Sequence, residues 1–443
     1  MRGRGSTLLP LLRTLTSRQG HAEAAVATRA SSVSLTTTSE STSDSAGREV
    51  GKGPLRGFAL PQFWESRAQR QAHRSLNSAS ALEDQCLSVP VPYVDIESLI
   101  GDEKNCIWQR IRHIVQAEVP SLTRSAEYFF QPGVEGKRVR SSALLLVASA
   151  LSDGEMGDPS KSALYLKPDL RPYSQYPEEV RRKQQRIAEI TEMIHVATLL
   201  HDDVLDDAET RRGLNSVNKM FGNKTAILGG DFLLAKASVA LAALRNTEVL
   251  ILMATVIENL VTGEMMQSRS SQDERMSLDY YYRKTFLKTA SLIANSCKSA
   301  ALLGNHSDEV AQLASDYGYH LGMSFQLVDD VLDFVGSSSS LGKPTLSDLK
   351  SGIATAPVLF ASQEEPQLVD LTLRKFKYEG DVDMASRLVA KTSGVKKTME
   401  VAEMHASKAI KAVDSFPPAR GKYAEVCRDA LRHLANSVVT RRT

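Results

Sequence analysis

Two acidic clusters carry the clearest chemistry in this sequence: His201-Asp202-Asp203-Val204-Leu205-Asp206-Asp207 and Asp329-Asp330-Val331-Leu332-Asp333. Each is an Asp-Asp-x-x-Asp. On a helix turning about 100° per residue, Asp202 lies below Asp206, and Asp329 below Asp333. Like charges at this spacing repel by about 0.2–0.5 kcal/mol per pair on an exposed helix, and by more when partly buried. A positive partner is therefore required. Magnesium answers the need, because it takes one or two carboxylates from protein and completes its octahedron with water and substrate phosphate oxygens. A phosphorylated ligand is implied. The competing reading is a solvated acidic helix face. Two copies weigh against it, as do the apolar flanks Leu199, Leu200, Val204 and Leu205 in one cluster and Leu327, Val328, Val331 and Leu332 in the other.

Cations recur near these clusters. Arg211 and Arg212 follow the first, Lys137, Arg138 and Arg140 precede it, Lys284 and Lys288 lie between the two, and Lys343 follows the second. Arginine forks and lysine point charges are phosphate ligands. Singly each reads as a surface base; collected around paired metal sites they have force. Thr191, His195, Thr198, Asp202 and Asp206 fall at steps of four, three, four and four, on one helical stripe, which turns His195 toward the same cavity as the aspartates.

The elements that must position these groups are helices. Apolar residues recur at helical spacing from about Pro90, and the signal repeats over Leu228–Leu244, Leu250–Met266, Leu287–Leu303 and Val310–Phe334. An all-α bundle is expected. Glycines and prolines break the pattern between about 152 and 182, which predicts a surface loop inserted between two core helices. Residues 1–40 are rich in arginine and hydroxyls, and the first acidic residue is Glu23. That composition predicts an organelle transit peptide, followed over 41–89 by a poorly ordered linker and over 90–443 by the folded domain. Hydrophobic residues make up 42%, charged residues 24%, and the net charge is +2. This is globular usage, and the charge balance argues against a nucleic-acid partner. The four cysteines are scattered, so neither a disulfide framework nor a zinc site is expected. No apolar run approaches the roughly 20 residues that cross a bilayer, so no transmembrane helix is expected.

Assembled, these motifs resemble the all-trans polyprenyl diphosphate synthases, in particular the long-chain type that makes the ubiquinone side chain. GKRVR at Gly136, HDDVLDDAETRRG at His201, GNKTAILGGDFLL at Gly222, KTASL at Lys288, GMSFQLVDDVLDF at Gly322 and GKPTLSDLKSGIATAPVLFA at Gly342 carry the likeness, which spans about Pro90 to the C-terminus. The resemblance implies an isoprenoid synthase-type bundle around a deep central cavity, with the two aspartate-rich helices facing each other at its mouth. It implies three magnesium ions held by Asp202, Asp206 and Asp329, with Asp203, Asp330 and Asp333 as nearby ligands or water holders. Arg211, Lys288, Thr289, Gln326 and Lys343 would contact the allylic diphosphate, farnesyl or geranylgeranyl. Lys137, Arg140, His195 and Arg212 would hold isopentenyl diphosphate. The implied catalytic set is Asp202, Asp206, Asp329 and Lys288.

By the same resemblance, small residues at Ala197 and Thr198 leave the cavity floor open to long products. Short-chain members carry a lysine after the glycine of the last motif, whereas Gly352 here precedes Ile353; this puts an auxiliary phosphate contact in question. A homodimer, or a heteromer with a related subunit, is implied, in the mitochondrial matrix with peripheral contact to the inner membrane. Two other readings remain open: a non-catalytic subunit of a heteromeric synthase, and a class I terpene cyclase. The intact aspartates weigh against the first, and GKRVR with Arg212 against the second.

Overall fold

The computed structural model describes residues 92–116, 118–130, 136, 138–152, 179–211, 214–336 and 345–441. The expected transit peptide, the linker, most of the insertion, and Lys137, Arg212 and Lys343 lie outside them.

The described chain opens with α1 (Ile96–Ile114), where the Asp95 carboxylate accepts from the amides of Glu97 and Ser98 at 3.1 and 3.3 Å, satisfying two orphan donors of the first turn. Helix α2 (Pro120–Glu127) starts on a proline, runs into a 3-10 turn (Tyr128–Phe130), and is followed by α3 (Val139–Ala150) and α4 (Val180–Leu205). A two-residue hairpin, β1 (Thr210–Arg211) against β2 (Leu214–Asn215), pairs Arg211 with Leu214. It is the only sheet among the described residues.

Next come α5 (Val217–Phe221), α6 (Asn223–Ala243), α7 (Thr247–Ser268), α8 (Gln272–Met276), α9 (Leu278–Thr285), a π-helical turn (Phe286–Ala290), α10 (Ser291–Leu303) and α11 (Asp308–Val335). The chain ends with short helices α12 (Ser347–Lys350), α13 (Ala356–Ala361), α14 (Gln367–Leu373) and α15 (Asp381–Val389), then the long pair α16 (Gly394–Asp414) and α17 (Lys422–Thr440). All-α is what the spacing predicts.

Helices α4, α10 and α11 sit at the centre. α11 lies between α10 and α16, and α4 packs on α6. The main core runs through Leu144, Ile187, Ile194, Leu233, Ile293, Tyr317 and Leu431. A smaller one under α12–α15 is built on Leu349, Val358, Leu371 and Phe376. Two close approaches set the geometry of the site. A Cβ on Gly322 would lie 2.6 Å from the Ala290 Cα, and one on Gly230 would lie 2.2 Å from the His201 Nε2. At Gly322 the obstacle is backbone, so α11 lies directly on the π-helical turn; at Gly230 it is the His201 ring, which a side chain there would have to displace.

Val180–Arg182, the last positions of the expected insertion, belong to α4. Arg181 is anchored there because its guanidinium is fully buried and paired with Glu103 at 2.6 Å. Helices α6 and α7, of 21 and 22 residues and mean hydropathy 1.6, are long and apolar enough to cross a membrane by length and composition alone. Both nonetheless pack within the bundle.

Glu103, Arg110, Arg181, Gln185 and Glu189 form a buried polar network tying α1 to α4. Removing one member leaves an uncompensated buried charge. Glu103→Leu should therefore cost about 3–5 kcal/mol in urea unfolding, and Glu103→Leu with Arg181→Met should recover much of it. A double variant as unstable as the single one would show that the charge pair is not the cause.

Candidate active site

The first acidic cluster lies where α4 stops. Asp202 and Asp203 are on its last turn, Asp206 caps it, and Asp207 takes a left-handed conformation at φ 48° that ends the helix, a geometry aspartate tolerates. Asp202 is half-buried and Asp206 exposed. Asp203, one residue round the helix, is fully buried and pairs with Arg211 Nε at 2.5 Å. The hairpin thus folds Arg211 back under the cluster.

Facing it is the π-helical turn, which carries Lys288 and Thr289. Such bulges re-aim side chains and are frequent at functional sites. Gly263 makes room for the turn, since a Cβ there would come within 3.0 Å of the Lys288 amide nitrogen. Its neighbour Glu264 pairs with Lys288. Lys288 also lies close enough to attract Asp202 and Asp206.

The second cluster occupies the end of α11. Asp329 Oδ1 accepts from Arg441 Nη2 at 2.6 Å; the same guanidinium donates to the Phe325 carbonyl at 2.9 Å and lies over the Phe325 ring at 4.1 Å. Asp330 is buried and accepts from Tyr281 Oη at 2.5 Å and from Gln326 Nε2 at 2.9 Å; Gln326 in turn accepts from Thr289 Oγ1 at 3.1 Å. Asp333, fully buried, accepts from the amides of Ser347 and Asp348, each at 3.1 Å, and from Ser347 Oγ at 3.0 Å.

Burial raises the pKa of Asp202 to about 6; the attraction of Lys288 opposes this, and repulsion from Glu264 and Asp206 reinforces it. Asp206 is raised for the same leading reason. Asp330 is also raised, by burial and then by repulsion from Asp348, against its bonds from Tyr281 and Gln326. Burial leads in all three, and a neighbouring carboxylate adds repulsion in each: Glu264 at Asp202 and Asp206, Asp348 at Asp330.

These residues fit a hard divalent cation. The donors are carboxylate oxygens, and their raised proton affinity marks an unmet need for positive charge. Among the described residues no three His, Cys, Asp or Glu side chains converge tightly enough to cage an ion, so further oxygens must come from ligand and water.

The structure brings most sequence-predicted residues together. Thr289, Gln326 and Asp330 form one bonded chain, Lys288 reaches the first cluster, and Arg140 Nη1 lies 3.2 Å from His195 Nε2. Asp203 and Asp333, expected as metal ligands or water holders, are bonded to Arg211 and to the start of α12. Thr191, at the far end of the predicted stripe, is buried and 2.7 Å from Ser296 Oγ. Ala197 is fully buried in the core, and Thr198 donates to the His195 carbonyl at 2.7 Å. Sequence reasoning missed Glu264, Tyr281 and Arg441. The first two lie on helices with no motif, and Arg441 stands 112 residues from its partner Asp329, so no local signal marks it.

The chain matches the family described as Polyprenyl synthetase over residues 119–389. It is 50% identical over 343 residues to "Solanesyl-diphosphate synthase 1, mitochondrial" of Oryza sativa subsp. japonica, covering 77% of this chain and 78% of that one. The fold superposes on the apo form of an Arabidopsis medium/long-chain length prenyl pyrophosphate synthase with TM-score 0.63 and 43% identity, covering 79% of this chain and all of that one. It also superposes on a polyprenyl synthase from Caulobacter crescentus complexed with calcium and isoprenyl diphosphate, with TM-score 0.66 and 28% identity, covering 79% and 97%.

The burial of Asp202 has a measurable consequence. In the unfolded chain the Asp202 carboxyl loses its proton near 3.8, and in the folded chain near 6. The folded state therefore holds the proton more tightly and gives up stability as pH rises through that interval. Asp202→Asn removes the charge and should melt above wild type at about pH 8 in a chelator, with the gap narrowing below about pH 6 and closing below about pH 3.8. A gap independent of pH would refute the assignment.

Proposed function

Because the chain belongs to the polyprenyl synthetase family, we infer that it is a long-chain trans-polyprenyl diphosphate synthase. It is a prenyltransferase that condenses isopentenyl diphosphate head-to-tail onto an allylic diphosphate, acts in mitochondria, and supplies the side chain of ubiquinone. The observation that carries this reading is the pair of carboxylate clusters joined through Lys288, Glu264, Thr289 and Gln326.

In our proposal, Asp202, Asp206 and Asp329 hold magnesium, three ions in all, against the allylic diphosphate. Bound magnesium supplies the positive charge that offsets what builds on the departing pyrophosphate. Asp203 orients Arg211, and Asp333 fixes the start of α12. Asp330, held by Tyr281 and Gln326, is placed as a further ligand or water holder. Lys288, Thr289, Gln326, Arg211 and Lys343 grip the leaving diphosphate, so that the allylic carbon–oxygen bond ionises where oriented charges cost no reorganisation. Arg140 and His195, with Lys137 and Arg212, hold the diphosphate of isopentenyl diphosphate so that its double bond faces the allylic carbon. After the new bond forms, one proton leaves to the released pyrophosphate, and no side-chain base is needed.

Catalytic function is favoured over a silent subunit because every charged partner described above is present. Helices α6 and α7 expose Ile227, Leu228, Val239, Ile251 and Val261, an apolar face that supports pairing with a second copy or a related subunit. Ala197 and Thr198 leave room for long products.

Asp202→Ala or Asp329→Ala should lower turnover at least about a hundredfold, measured with labelled isopentenyl diphosphate, farnesyl diphosphate and magnesium. Undiminished elongation in either would defeat the metal roles. Ala197→Phe should shorten the products on chromatography; an unchanged distribution would place the floor elsewhere.

A further inference from the structure

A cavity of about 290 Å³ opens beside the first cluster, and its lining includes Asp206, Glu264, Tyr281, Lys284, Ile353 and Lys375. Its two other cations have structural work. Arg275, also in the lining, donates to the carbonyls of Leu373 and Ser270 at 3.1 and 2.8 Å. Lys375 packs its stem against the loop, where a Cβ on Gly352 would meet the Lys375 Cβ at 3.2 Å.

Lys284 differs. Its Nζ lies 5.6 Å over the Tyr281 ring, and among the described residues no carboxylate comes within the 4.0 Å of an ion pair. Asp330, Asp348 and Glu264 act on it from farther away. A half-buried ammonium without a direct counter-ion is unfavourable, yet this one stands one turn before Lys288, between the two carboxylate clusters. The arrangement leaves a place for an anion in front of it.

The loop supplies the second observation. Ile353 lines the same cavity, and this is the position where the resemblance expects an auxiliary phosphate-binding lysine in short-chain members. The cavity therefore lacks that cation on its loop wall and has one on its helix wall.

We propose that Lys284 is a diphosphate-binding residue, which delivers from α9 the contact to the allylic pyrophosphate group that Ile353 cannot make. The inference rests on the synthase reading and goes beyond it, since no motif marks this residue. No bond forms or breaks at Lys284; its ammonium donates to phosphate oxygens.

The test compares full-length wild type, Lys284→Met, and Lys284→Met with Ile353→Lys. Calorimetric binding of inorganic pyrophosphate with magnesium, melting temperature, and KM for farnesyl and isopentenyl diphosphates are read on each. Lys284→Met should weaken pyrophosphate binding and raise the allylic KM about tenfold or more, the loss of one charge-assisted bond, while the isopentenyl diphosphate KM stays within about twofold. Moving the cation to position 353 should restore most of that loss. Unchanged pyrophosphate affinity in Lys284→Met, with or without a lower melting temperature, overturns the proposal and leaves Lys284 as a cover for Tyr281. Equal rises in both KM values, or no recovery in the double variant, overturn it as well. A wild-type chain that neither elongates nor binds pyrophosphate overturns both this proposal and the synthase reading.

Discussion

Negative charge gathered in a half-buried space is the constraint around which this structure is arranged. Asp202, Asp206, Asp329 and Asp330 would repel one another in any compact form that kept them in one cavity. The fold answers with a separate partner for nearly every carboxylate. Arg211 takes Asp203, Arg441 takes Asp329, Tyr281 and Gln326 take Asp330, and amides at the start of α12 take Asp333. Asp202 and Asp206 receive the more distant pull of Lys288 and Arg211, the first of which Glu264 already shares. Burial, with repulsion from Glu264 and Asp206, holds the Asp202 proton up to about pH 6.

Close backbone approach makes the arrangement possible. Gly263 and Gly322 let α7 and α11 lie against the π-helical turn, which places Lys288 and Thr289 between the two clusters. A regular helix there would rotate these side chains by a large part of a turn. Gly230 performs the same service for α6 at His201. Bulk at Gly263 or Gly322 would press on the backbone of the π-helical turn and separate helices that must touch, next to Lys288 and Thr289.

The buried network of Glu103, Arg110, Arg181 and Glu189 works at the other end of α4. Charge there is costly unless each partner is in register, so the network fixes how α4 is seated against α1. Since α4 carries His195, Ala197 and the first aspartate cluster, its seating fixes where all of these lie.

How much was legible beforehand follows from the range of the forces. The period of 3.6 residues gave the helices, and an Asp-Asp-x-x-Asp repeated on two of them gave the metal-type chemistry, because side chains three and four residues apart on a helix are neighbours whatever the rest of the fold does. The conclusion that Lys288 belongs with the aspartates was also within reach, since it lies in a motif. Local pattern could not show that Asp203 pairs with Arg211, or that Asp333 accepts from the amides at the start of α12. Nor could it show that Arg441 closes on Asp329, or that Lys284 and Ile353 line one cavity. Each of these depends on which chain segments meet across the bundle. Periodicity fixes the face on which a residue lies, but packing decides what stands opposite that face, and the charge state of a buried carboxylate is set by what stands opposite.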